Sequence, residues 1–240
     1  MNEDVEKALE NIRPYLQADG GDIIMANNFI EFLKKVKPIK MEEPLAATLG
    51  ALQTESFPLE YSFTDVVKMA GHACPTISGA YLCCQKALER LYPGENPVRG
   101  NISVTVYGEP DEGVYGVMGQ AFSFITGAAP NTGFRGLGHK FRRKDLLHYN
   151  SNKPDPEAMS FEFRRLDNDR AVLVNFIPGS IPFPVEKAKR LGELLEKILW
   201  EAAKENERRE FQSLWMEKVR VMLLEQKDID RWLQLEERRN

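Results

Sequence analysis

The sequence predicts a mixed α/β unit over residues 62–178, entered through a partly helical N-terminal segment and left through a charged helical tail. Three observations carry this. Apolar residues recur at helical spacing on both sides of Gly71, and at a period of two over Asn101–Tyr107. Two short apolar runs, Ser160–Leu166 and Ala171–Ile177, flank the polar turn Asp167-Asn168-Asp169-Arg170, the pattern of a β-hairpin with a four-residue loop. Beyond Phe183 the chain turns helical and strongly charged.

Composition bounds the reading. The 240 residues, 42% hydrophobic and 28% charged, can fill one core with a substantial attachment. A formal charge of −4 argues against a dedicated nucleic-acid protein. No apolar run approaches the roughly 18 residues needed to span a bilayer. Asp4, Glu6 and Glu10 stand where a secretory signal would be basic. The expectation is a cytoplasmic protein with neither nucleic acid nor membrane as partner. Its three cysteines, Cys74, Cys83 and Cys84, are an odd, clustered set that reads as reduced thiols rather than a disulfide framework.

Along residues 1–60, Val5, Leu9, Ile12 and Leu16 mark a short amphipathic helix, broken at Gly20-Gly21. A second helical stretch lies near Phe29–Val36. Pro38, Pro44 and Pro58 then interrupt the remainder of this segment, as in an appendage wrapped on the core. Ser62 or Thr64 can cap a helix ending at Gly71. Pro75 suits the first turn of another, running to about Leu91 and closed by Pro93-Gly94. Ile102, Val104 and Val106 alternate with Ser103, Thr105 and Tyr107, a half-buried strand. Val114–Ile125 reads as helical despite Gly116 and Gly119, which would admit a closely packed neighbour. A glycine-rich loop, Gly127–Gly138, separates it from the hairpin. In residues 183–240, Val185, Ala188, Leu191, Leu195, Ile198 and Ala202 form one apolar stripe; Phe211, Leu214, Trp215, Val219, Met222 and Leu223 form another. Such faces must be buried against the core or a second chain, so a homodimer through the C-terminal helices is expected.

The stretch that carries chemistry is Gly71-His72-Ala73-Cys74-Pro75. It sets an imidazole and a thiol two residues apart at the mouth of a helix, where unpaired N–H groups and the helix dipole favour a thiolate. Thiolate and neutral imidazole suit zinc or another late first-row ion. The plainer alternative makes His72 a hydrogen-bonded loop residue and Cys74 a small buried hydrophobe. Cys84 is in register with Ile77, Tyr81, Leu88 and Leu91 and belongs with the core; Cys83, about 100° round the helix, is less constrained. Arg135, Lys140, Arg142, Arg143 and Lys144 in and after the glycine-rich loop read either as a cradle for a phosphate or carboxylate or as a solvated basic loop. They lack the spacing of a P-loop or a dinucleotide fingerprint. His148, on a short strand, reads as structural.

The run Phe63-Thr-Asp-Val-Val-Lys-Met-Ala-Gly-His-Ala-Cys-Pro-Thr-Ile-Ser-Gly-Ala-Tyr resembles the signature of the formylmethanofuran dehydrogenase (FmdE) subunit family: a helix, Gly-His-x-Cys-Pro, then a helix with a glycine one turn in, here Gly79. Met159–Val174 resembles that family's closing hairpin, and together the two cover about residues 62–178. The resemblance implies an α+β core, a mixed sheet with helices packed on it, and a metal, usually zinc, near the His and Cys. Family members usually carry one further cysteine after the strand matching Asn101–Tyr107 and another after the following helix. Here those places read Glu109-Pro110-Asp111-Glu112-Gly113 and Gly127-Ala128-Ala129, which argues against a pterin-linked one-carbon role. Glu112, or its neighbours Glu109 and Asp111, is a candidate replacement ligand or base, unless the loop is simply solvated. His139, in the glycine-rich loop that the family keeps beside its site, is a further candidate ligand or proton carrier, or else a surface histidine. Arg135 is the candidate for holding a small anionic substrate. Val5–Ile23 resembles the start of a NifU-type scaffold domain without its Cys-x-x-Cys pair, so iron–sulfur binding is not implied. Three functions stay open: an FmdE-family metalloprotein whose reaction is unspecified, a haem or metal carrier or sensor without turnover, and a structural interaction protein with an empty site.

Overall fold

The computed structural model describes residues 31–52 and 58–238. Both the amphipathic helix expected at Val5–Leu16 and the NifU-like stretch lie outside these; of the stretch expected at Phe29–Val36, residues 31–34 are helical. The N-terminal part contributes strand β1 (Ile39–Met41), helix α1 (Pro44–Thr48) and strand β2 (Leu59–Tyr61), with β1 and β2 antiparallel. Helices α2 (Phe63–Ala70) and α3 (Pro75–Leu91) follow, then β3 (Ile102–Tyr107), α4 (Tyr115–Thr126), β4 (Leu147–Tyr149), β5 (Met159–Arg165) and β6 (Ala171–Phe176). The tail forms α5 (Val185–Leu199), α6 (Glu205–Arg220), a π-helical turn (Val221–Glu225), the short α7 (Ile229–Trp232) and β7 (Leu233–Arg238).

Local chemistry sets these boundaries. The Ser62 hydroxyl accepts from the Asp65 N–H, and the Asp65 carboxylate accepts from the Ser62 N–H at 3.0 Å, a reciprocal cap on α2. The Ser62 hydroxyl bond is the main reason the Asp65 carboxyl is held below its ordinary range. At its other end α2 stops at Gly71, which adopts φ 78°, the left-handed conformation that glycine takes without strain. Pro75 then opens α3 at a position that needs no N–H donor.

The result is an α+β fold with a five-stranded mixed sheet in the order β4-β3-β5-β6-β7, in which only the β3–β4 pair is parallel. Helices α3 and α4 pack on one face. Phe122 of α4 meets the rings of Phe161 and Phe163 at 4.9 and 5.1 Å. A Cβ at Gly79 of α3 would stand 2.5 Å from the ring of Phe176, so only glycine lets the helix come this close to the sheet. The close neighbours expected at Gly116 and Gly119 are the Pro110 carbonyl and the Tyr149 hydroxyl. Twelve of the seventeen residues of α3 are buried, which makes it the central helix. Cys83 and Cys84 are both fully inside, and burial pushes both thiols up. The β5–β6 loop is Leu166–Arg170, which contains the expected turn Asp167–Arg170 and starts one residue before it.

The N-terminal arm is fastened by charge. Glu43, 6% exposed, takes Arg99 at 2.9 Å and Arg143 at 2.5 Å, and Arg99 also donates to the carbonyls of Phe124 and Ile125 at the end of α4. Arg143 is therefore a buried structural cation rather than part of a solvated basic surface, and burial pushes its guanidinium down. The tail departs from the helical expectation at its end. Leu233–Arg238 is a strand, antiparallel to β6 from Phe176↔Leu233 to Ala171↔Arg238. Four of its six residues are Gln, Glu or Arg, the composition of a protected edge, which hides the strand from apolar patterning. Among the described residues no helix is long and apolar enough to cross a membrane.

Candidate functional site

The His72–Cys74 loop is short because α2 and α3 both end on it. Cys74, 7% exposed, is the N-cap of α3: its Sγ accepts the Ile77 N–H at 3.4 Å, and its carbonyl accepts the Ser78 hydroxyl at 2.8 Å. The thiol thus occupies the place where a capping serine or aspartate oxygen would sit, facing the positive end of a seventeen-residue helix. His72 is exposed, and its Nδ1 lies 3.0 Å from the Ala70 carbonyl. A carbonyl oxygen only accepts, so this bond puts a proton on Nδ1, and in the neutral ring the lone pair is then on Nε2. The carbonyl between the two, that of Ala73, accepts the indole N–H of Trp215 at 3.0 Å. Trp215 lies on α6, with the ring of Phe211 at 5.2 Å, so the C-terminal helices pin the loop from outside.

The other expected residues lie on other segments. Glu112 is exposed and accepts from Lys153 Nζ at 2.9 Å, a hydrogen bond that lowers its carboxyl below the ordinary range. Glu109 accepts from the Ser151 hydroxyl, and Asp111 is exposed. Lys153 lies 5.0 Å from the centre of the Tyr115 ring. His139 and Arg135 are both exposed; His139 lies at the turn closed by reciprocal backbone bonds between Leu137 and Lys140. Exposed His148 sits opposite Thr105 in the β3–β4 ladder. Among the described residues no three His, Cys, Asp or Glu side chains gather as a metal-holding group, so His72, Cys74, Glu112 and His139 do not assemble into one.

A cleft of about 690 Å³ lies between Met69 of α2, Pro110 of the acidic loop, Gly116 and Phe124 of α4, Pro130 of the glycine-rich loop and Tyr149 of β4. The acidic loop and the glycine-rich loop each give it one residue, Pro110 and Pro130, and its walls are mainly apolar. None of His72, Cys74, Glu112, Arg135 and His139 lines it. Two contributors escaped sequence reasoning. Trp215 reads there only as one member of a buried stripe, and its partner is 142 positions away; Met69 carries no local signal beyond its place on α2. No family model matches the chain, and no curated protein matches it.

Proposed function

We propose that the chain is a cytoplasmic metal-binding protein of the FmdE type, in which His72 Nε2 and Cys74 Sγ are two ligands to zinc or another transition metal. The observation that carries this is the bond between His72 Nδ1 and the Ala70 carbonyl. Metal-binding histidines commonly give their second N–H to such an acceptor, which fixes the tautomer and turns the other nitrogen's lone pair outward. Cys74 supports it as a thiol held at a helix N-terminus, and the bond from Trp215 to Ala73 as an outer brace on the loop. Two protein ligands leave positions for water or a small anion. Zinc in such a place would polarise a bound oxygen ligand. A second reading, haem bound without turnover, is favoured by the apolar walls that Met69, Phe124, Leu147 and Tyr149 give the cleft.

Metal content and absorption spectra of protein purified without chelators test both. The wild type is expected to carry about one zinc per chain, or to take up cobalt with a thiolate charge-transfer band. Both His72→Ala and Cys74→Ala should lose it. A Soret band that survives both variants would favour haem in the cleft. Variants that keep their zinc in full would remove His72 and Cys74 as its ligands, and protein that takes up neither metal nor haem would leave the interaction-protein alternative standing.

A further inference from the structure

Among the described residues, helix α5 is covered on one side only. Lys187, Arg190 and Lys197 cross to Glu217, Glu210 and Glu207 of α6, and Leu191 and Leu194 are buried beneath them. The opposite side holds three of the most exposed large apolar residues of the molecule: Val185 at 79%, Leu199 at 72% and Trp200, just past the helix, at 78%. Gly192 stands in the middle of that side. A Cβ there would meet nothing within 4 Å, so among the described residues no neighbour requires a glycine, the least favourable ordinary residue of a helix interior.

We infer that this face of α5 binds the same face of a second copy, antiparallel, with the two helices crossing at Gly192. The pattern is symmetric about that residue. Val185 lies seven residues before it and Leu199 seven after, two helical turns each way, so a two-fold axis at Gly192 sets Val185 of one copy against Leu199 of the other. The charges match under the same operation. Lys189 and Glu196 lie on the same flank of the face, one before and one after the crossing, and the axis places each Lys189 beside the other copy's Glu196. Both are exposed, and neither has an ion-pair partner among the described residues. On the other flank Ala188 meets Leu195. Without a side chain at position 192 the two backbones can approach, which lets these pairs touch. The contact does not depend on the metal site, and one helix pair is small beside the roughly 1,200–2,000 Å² of a stable interface. The dimer is therefore one that dilution separates.

Sedimentation equilibrium and tryptophan emission on the full chain, from about 1 to 100 μM, test this. The wild type should pass from monomer to dimer, with emission moving to shorter wavelength as Trp200 is covered. Lys189→Glu and Glu196→Lys should each weaken the dimer about tenfold or more, and the double reversal should return it to within about threefold of wild type. Leu199→Asp should leave a monomer. The inference is overturned by a chain that stays monomeric throughout, as it would if residues 1–30 of the same chain covered the face. It is equally overturned by a dimer that tolerates both single reversals, or one that the double reversal fails to rescue.

Discussion

Helices α3 and α5 are of similar length and are held in opposite ways. The first is enclosed: the sheet, α2, α4 and the π-helical turn surround it, and even Ser78 and Gln85 are buried. The second is tied along one side to α6, by three cross-hairpin ion pairs and two buried leucines. An enclosed helix draws its stability from apolar area removed from water. A helix tied by partly exposed ions draws much less, because water and salt screen each pair. The molecule therefore combines a cooperative core with a more weakly held arm, and that arm supplies Trp215 to the His72–Cys74 loop.

The largest effect should come from the core side. Phe161→Ala removes a ring that packs against Phe122 and Tyr115, and should cost about 3–5 kcal/mol in denaturant unfolding. Leu194→Ala in the arm should loosen α5 and α6 while α3 keeps its hydrogen-exchange protection; a global loss of protection would break the distinction between the two regions. Glu43→Ala comes next. It leaves Arg99 and buried Arg143 without their carboxylate, at about 3 kcal/mol of global stability. Trp215→Phe keeps the packing and removes only the bond to Ala73, so it should weaken the proposed metal binding about tenfold with little change in unfolding midpoint. Equal metal affinity in that variant would separate arm from site.

The smallest effect is one of pH. Lys197 and Arg190 hydrogen-bond to Glu207 and Glu210 respectively and hold both carboxyls below the ordinary glutamate value of about 4.3. Folded values that are depressed give stability that is present above the ordinary value and drains away as pH falls toward the folded ones. Lowering the pH from about 6 to 3.5 should therefore expose amides of α5 and α6 before those of α3. Simultaneous loss would show that the arm is no weaker than the core.

Much of the enclosed region was legible in the sequence. Ser62, Gly71 and Pro75 state their roles through capping and backbone preference, and α3 runs from Pro75 to Leu91 as the pattern predicts. The tail was less so. Its first stripe includes Val185, Ala188 and Ala202, all exposed, and omits Leu194, which is buried. Long charged side chains with apolar stems cover the hairpin seam, so hydrophobic letters alone misplace the buried side. Strand β7 was hidden because an edge strand tolerates polar and charged residues at most of its positions. At the site, local patterning marked the His72–Cys74 pair and the helix mouth. It did not reveal that Lys153 engages Glu112, that Glu43 claims Arg143, or that Trp215 reaches Ala73, since each contact joins segments that only the fold brings together.

Strand β7 also dictates a timetable. Because β6 and β7 are sheet neighbours separated in sequence by the whole of α5, α6 and α7, a growing polypeptide presents the bare edge of β6 until residues 233–238 leave the ribosome. During that interval Ala171–Phe176, apolar at five of its six positions, is a ready template for strands of other nascent chains. Expression yield and inclusion-body formation should respond to substitutions in β7 more sharply than its exposed, charged surface would suggest.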